Sequence, residues 1–137
     1  KYSEQNMCEN GAYFVKMDSH DSKVTLIASG SEVELALNVC EALKQNNIKA
    51  KVVSMPCQEL FDKQSENFKK TILDQESLIV SLEAGNNSSW KKYVGDKGLP
   101  IGINRFGESA PYKKIYEYLN LSVEKIVNDI QNRLRSR

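Results

Sequence analysis

The chain has 137 residues, 19 Lys and Arg against 18 Asp and Glu, one histidine and three cysteines, for a formal net charge of +1. That length is one ordinary domain with room for its own core. The near balance of charge argues against nucleic acid or a membrane surface as partner.

No apolar run approaches membrane-spanning length, and the first residues lack a basic-then-apolar signal pattern. Cys8, Cys40 and Cys57 are an odd set without metal-ligand spacing. A reduced, cytoplasmic compartment is therefore expected.

Residues 1–10 are polar and mixed, and read as an extended lead-in. Gly11 to Met17 has strand composition. Asp18-Ser19-His20-Asp21-Ser22 is a loop of turn formers, short enough to join antiparallel neighbours. The first strand is thus expected to run against the second, and His20 to be a solvated loop residue.

Val24 to Ala28 is a continuous apolar and β-branched run, which suits a strand covered on both faces. Gly30 permits a sharp turn. Ser31 and Glu34 then stand as a capping box at a helix start. Glu34, Asn38, Glu41 and Gln45 form the polar stripe of that helix, and Val33, Ala36, Leu37, Cys40 and Leu43 the apolar one.

Ile48 to Ser54 is a third strand, held extended up to Pro56. Strand, helix of about four turns and strand make a right-handed parallel crossover. Cys57 to Lys63 forms a short helix or turn. Ser65 to Leu73 forms a second short helix with Phe68, Ile72 and Leu73 inward.

Ser77 to Glu83 is a fourth strand of buried type. Trp90, Tyr93 and Val94 recur at helical spacing, closed by Gly95. Leu99 to Ile103 is a short fifth strand. A helix entered near Pro111 carries Tyr112, Ile115, Tyr116 and Leu119 on one face. Ser122 is expected to cap a last helix with Val123, Ile126, Val127, Ile130 and Leu134 on one stripe. Arg133, Arg135 and Arg137 suit the negative pole of its dipole. The expected fold is three-layer α/β/α, with a five-stranded mixed, mostly parallel sheet whose first strand is antiparallel.

Ligands of such sheets lie at the carboxyl ends of the strands. Ser29, Gly30, Ser31, Asn104 and Ser109 are the candidate anion or ligand site there. The capping box also explains the Gly30 turn without a ligand. Ser29 to Glu34 lacks the second and third glycines of a dinucleotide fingerprint.

Glu83 and Glu108 are the carboxylates for acid–base work or, as buried charges normally are, paired groups that fix a loop. Trp90 and Tyr93 read as core or interface anchors rather than a cofactor box. Trp90, Tyr112 and Tyr116 are candidates for a surface covered by a partner. No complete catalytic, cofactor or metal site emerges from these residues.

Several stretches resemble the C-terminal domain of transketolase. They are Ala28 to Ala36, Ala50 to Pro56, Phe61-Asp62-Lys63-Gln64, Glu83-Ala84-Gly85, Trp90 to Gly95 and Phe106-Gly107-Glu108-Ser109-Ala110-Pro111. They occur in the family's order over roughly residues 11 to 130. The last favours transketolase over sister thiamine-diphosphate enzymes, such as the 2-oxoacid dehydrogenase β subunit or deoxyxylulose-phosphate synthase.

The resemblance implies a parent that transfers a two-carbon ketol unit between sugar phosphates in the pentose phosphate pathway. It implies thiamine diphosphate and Mg2+ in the N-terminal and middle domains of a homodimer. Residues 11–137 would be the C-terminal domain, non-catalytic by itself, packed on those domains. Residues 1–10 would be the link from the middle domain. Ser3-Glu4-Gln5-Asn6-Met7 is similar to the family's Ser-Arg-Gln-Asn-Leu, but Glu4 replaces the arginine that contacts substrate phosphate, so no substrate role passes to it. A small-anion-binding regulatory module is the alternative from a different class.

Overall fold

The computed structural model describes residues 10–19, 21–30, 32–84, 90–103 and 112–136; the side chains of Ala84, Ile103 and 112–122 lie outside that description. The elements run β1 (Tyr13–Met17), β2 (Val24–Ala28), α1 (Glu32–Gln45), β3 (Ala50–Ser54), α2 (Gln58–Asp62), α3 (Glu66–Ile72), β4 (Leu78–Ala84), α4 (Lys91–Val94), β5 (Leu99–Ile103) and α5 (Tyr112–Arg135). The five strands form one sheet in the order β1-β3-β2-β4-β5. β1 is antiparallel to β3, and the other pairs are parallel.

β2 sits in the centre. Leu26 lies opposite Val52 on β3 and Val80 on β4, so three apolar side chains share one row. Every residue of β2 is buried. Its alternate residues serve two cores, as the pleat requires. Val24, Leu26 and Ala28 meet Leu35, Val39 and Leu43 of α1 and Ile126 and Ile130 of α5. Ile27 belongs to the opposite core with Val53, Ile79, Phe61, Ile72, Leu73, Trp90 and Tyr93. Helices therefore cover both faces, which is the expected three-layer α/β architecture.

Three local expectations are corrected. β1 is antiparallel as expected, yet its hydrogen-bonded neighbour is β3, not β2. The wholly apolar β2 takes parallel partners on both sides, while β1, half-buried along its length, occupies the edge.

The last two expected helices are one helix of 24 residues. No Gly or Pro interrupts Leu119-Asn120-Leu121-Ser122, and a serine in a helix interior costs only a fraction of a kcal/mol. The stripe of Ile126, Val127 and Ile130 is buried as expected, with Val123 and Leu134 packed beside it.

The buried stripe of α1 is also rotated. Leu35, Ala36, Val39, Cys40 and Leu43 are buried, and Val33 and Leu37 flank them. α1 packs on both the sheet and α5, so its apolar face is wider and differently centred than one contact surface would demand.

The carbonyl of Gly11 accepts the Cys57 amide at 3.3 Å, which anchors the start of the chain on α2. Gly11 has φ +84°, and a Cβ there would run into the Cys57 carbonyl and the Phe61 amide. Only glycine fits this approach.

Two polar links, one buried and one half-buried, brace the sheet. The Thr25 and Ser77 hydroxyls share a 2.7 Å hydrogen bond. The Lys51 ammonium, its side chain only 6% exposed, lies 3.8 Å from Asp74. Among the described residues no helix is long and apolar enough to cross a membrane.

Ile130 is fully buried between α5 and the sheet. Ile130→Ala should lower stability by about 3 kcal/mol in urea unfolding, the middle of the range for such truncations; a loss below about 1 kcal/mol would contradict the packing of α5. The Cys40 thiol is buried, and it lies 3.6 Å from Asp18 and 3.8 Å from the Ala50 carbonyl. Burial first, and then the Asp18 charge, push it up to about 12. At pH 8 iodoacetamide should label the half-buried Cys57 and leave Cys40 intact until the protein is unfolded, because the thiolate is the reactive form. Equal labelling of both in the native state would refute this core.

Candidate functional site

The carboxyl end of the sheet was the expected ligand region. At the end of β2, Gly30 is exposed with φ +58°. The amides of Glu32 and Val33 bond back to the carbonyls of Ser29 and Gly30. Glu34 is exposed on the first turn of α1. Ser31, Asn104 and Ser109 lie outside the described residues, as do His20 and Glu108. The candidate anion site and the Ser31 cap are thus represented only by Ser29, Gly30 and Glu34.

Glu83, at the end of β4, accepts a 2.6 Å hydrogen bond from the Trp90 indole N–H. It is a paired carboxylate that ties the end of β4 to the start of α4. That is the contact the loop-fixing reading expects. Trp90 is 3% exposed and belongs to the core beneath α4. The expectation that it lies in a partner-covered surface is corrected: an indole whose N–H has a partner inside the chain is best buried there. The side chains of Tyr112 and Tyr116 lie outside the described residues.

The structure joins residues whose spacing gave no sign of contact. Asp62, at the end of α2, accepts the Tyr93 hydroxyl at 2.9 Å and the Lys92 ammonium at 2.9 Å. The Lys69 ammonium bonds the Asp62 carbonyl at 3.1 Å. Beneath this node the Phe61 ring meets Tyr93 edge-on at 5.6 Å, and Tyr93 meets Trp90 at 6.0 Å. Three separated segments, around Phe61-Asp62, Glu83 and Trp90 to Tyr93, therefore interlock. The Asp62 contacts span 30 and 31 residues of sequence, beyond the reach of any local pattern. The signal available beforehand was that these segments carry the family resemblance.

The electrostatics of the node are those of a clamp. The hydrogen bond from Lys92, reinforced by Tyr93, holds the Asp62 carboxyl below its ordinary range against a smaller opposing effect of burial. Burial first, and then the bond to Asp62, push the Tyr93 phenol up to about 12. Such a phenol is neutral at physiological pH, and Asp62 is already occupied as an acceptor. Neither is poised to move a proton. Among the described residues no three of His, Cys, Asp and Glu group to hold a metal ion.

Fold and site together define an α/β domain whose polar clusters serve its own packing. The family described as transketolase-like TK C-terminal domain matches residues 11–122. The chain is 40% identical over 131 residues to a transketolase of Aquifex aeolicus (strain VF5), covering 95% of this chain and 19% of that protein. It is 43% identical over 120 residues to the chloroplastic transketolase of Solanum tuberosum, covering 85% of this chain and 16% of that protein.

Among solved structures, transketolase from Leishmania mexicana superposes with a TM-score of 0.76 at 36% identity, covering 93% of this chain and 18% of that one. Pichia stipitis transketolase in complex with sedoheptulose 7-phosphate superposes at 0.77 with 32% identity, covering 92% of this chain and 18% of that one. The chain belongs to the transketolase C-terminal domain family. It spans about a fifth of the length of these relatives.

The clamp has a pH signature. The folded pKa of Tyr93 lies above its unfolded value, so its contribution is complete below about pH 10 and is lost as pH rises toward about 12. Asp62 is depressed, so its contribution is present above its unfolded value of about 3.9 and is lost as pH falls through the lower folded value. Tyr93→Phe should cost about 1 kcal/mol at pH 7 and flatten part of the alkaline fall between about pH 10 and 12, to which Cys40, Lys16 and Lys92, all raised in the folded protein, also contribute. An unchanged alkaline profile in this variant would show that the Tyr93 phenol is neither buried nor held by Asp62 as described.

Proposed function

We propose that this chain is the C-terminal domain of a parent transketolase, in which it serves packing and assembly rather than catalysis. The parent transfers a two-carbon ketol unit between sugar phosphates, with thiamine diphosphate and Mg2+ held by its N-terminal and middle domains. In this reading the partners are those two domains of its own chain. The parent is a cytoplasmic homodimer, and neither nucleic acid nor a membrane takes part. Residues 11–137 form the domain, and residues 1–10 are the link from the middle domain.

One observation carries the reading: the alignment with the Aquifex aeolicus transketolase covers 95% of this chain but only 19% of that enzyme. A full transketolase needs far more protein than these residues supply. The described polar residues support a non-catalytic role, because Glu83 and Asp62 are both engaged in tying helices to one another and to the sheet. The relatives and structural neighbours reported above are transketolases, and none favours the sister thiamine-diphosphate enzymes.

The test is a transketolase assay with thiamine diphosphate and Mg2+ on the full-length parent and on this chain alone. The expected outcome is an active parent and an inert chain. An inactive parent would remove the proposed activity. Turnover by the chain alone would overturn the non-catalytic role.

A further inference from the structure

Cys8 and Cys57 stand 49 positions apart in the sequence. The fold closes most of that separation at Gly11. The Gly11 carbonyl accepts the Cys57 amide at 3.3 Å, and a Cβ on Gly11 would lie 2.4 Å from the Cys57 carbonyl. Gly11 is buried, and Ala12 after it is 2% exposed in the core beneath α2. The point from which the chain departs toward Cys8 is therefore fixed against the backbone of Cys57.

Cys8 lies outside the described residues, three positions before Gly11. Three residues span at most about 10 Å. A disulfide needs its two Cα atoms roughly 4.4–6.8 Å apart. The tether is thus long enough to present Cys8 to Cys57 and too short to carry it far from that position. Cys57 is a free thiol and half-buried, whereas Cys40 is buried in the core on the opposite face of the sheet.

We propose that Cys8 and Cys57 form a reversible disulfide, a peroxide-driven latch that ties the chain ahead of Gly11 to the start of α2. The thiolate of one cysteine attacks an oxygen of hydrogen peroxide. The O–O bond breaks, leaving a sulfenic acid and one water. The sulfur of the second thiol then displaces the hydroxyl as a second water and forms the S–S bond. Two sulfurs are oxidised and one peroxide is reduced. A dithiol reverses the step by exchange. In a reducing compartment such a pair rests as thiols and closes transiently.

The latch itself uses only the contact of Gly11 with Cys57. Its consequence, that closure fixes how a link from a preceding domain leaves this one, rests on the transketolase reading. The test below reads the bond and not that consequence, so the two fail separately.

The test is treatment of the reduced 137-residue chain with stoichiometric hydrogen peroxide, followed by mass spectrometry. The chain should lose two hydrogens and stay monomeric. Trypsin should release Tyr2–Lys16 joined to Val52–Lys63. Cys8→Ser should abolish the linked peptide, and Cys40→Ala should leave it in place. Equilibration with glutathione should give an effective concentration for the pair on the order of tenfold or more above that in concentrated urea, because the native contact replaces a long loop by a short tether.

An intact count of three thiols after peroxide would overturn the proposal. So would linkage mainly between two molecules, or a native linkage that uses Cys40. Equal effective concentrations in buffer and in urea would show that the fold does not bring the pair together.

Discussion

The central strand has no free face, and the rest of the domain follows from that. Val24 to Ala28 are all buried, with a parallel neighbour on each side. A strand in that position needs an apolar layer above and another below. The polypeptide supplies the first by carrying α1 across one face and returning α5 beside it. It supplies the second with α2, α3 and α4 on the other face. Burying this central ladder is the main source of favourable free energy, at about 25 cal/mol per Å² of apolar surface.

The two layers solve the task differently. α1 and α5 are 14 and 24 residues long, and long apolar stripes hold them on the sheet. α2, α3 and α4 have 5, 7 and 4 residues. Helices that short are not stable alone. They depend on Phe61, Ile72, Leu73, Trp90 and Tyr93 for anchorage. They also depend on directed polar bonds: Ser65 capping Phe68, Glu83 receiving Trp90, and Asp62 receiving Tyr93 and Lys92. A buried aromatic with a hydrogen-bonded end fixes orientation as well as burial. The short-helix layer is therefore where polar side chains carry structural specificity.

This difference decides what was legible in the sequence. Val24 to Ala28 and Leu78 to Leu82 announce buried parallel strands through composition, because burial on both faces leaves them apolar but for Thr25 and Ser81. Phe68, Ile72 and Leu73 place the third helix through local spacing, and the structure adds the Ser65 cap. The partner of β1 was not legible, since a short loop permits a neighbour in space as well as a neighbour in pairing. The unbroken α5 was missed because Ser122 has the chemistry of a cap and equally sits inside a helix. Asp62 with Tyr93 was out of reach, because nothing local links residues 31 apart. The sequence marks Glu83 as a carboxylate at a strand end, but its indole partner appears only once β4 and α4 are folded together.

The clamp residues lie within the same short stretches that carry the family resemblance. Such stretches invite a catalytic reading, because acidic and aromatic residues in a loop-rich region are the usual materials of an active site. Here their valences are spent inside the domain. Asp62 closes α2 against α4, Glu83 closes β4 against α4, and Phe61, Tyr93 and Trp90 fill the space between. α4 has only four residues, yet it is tied at both ends. It lies near the carboxyl end of β4, held there by Glu83, at the edge where open α/β sheets meet their ligands or neighbours. The family-like residues of this domain thus act on the geometry of that edge.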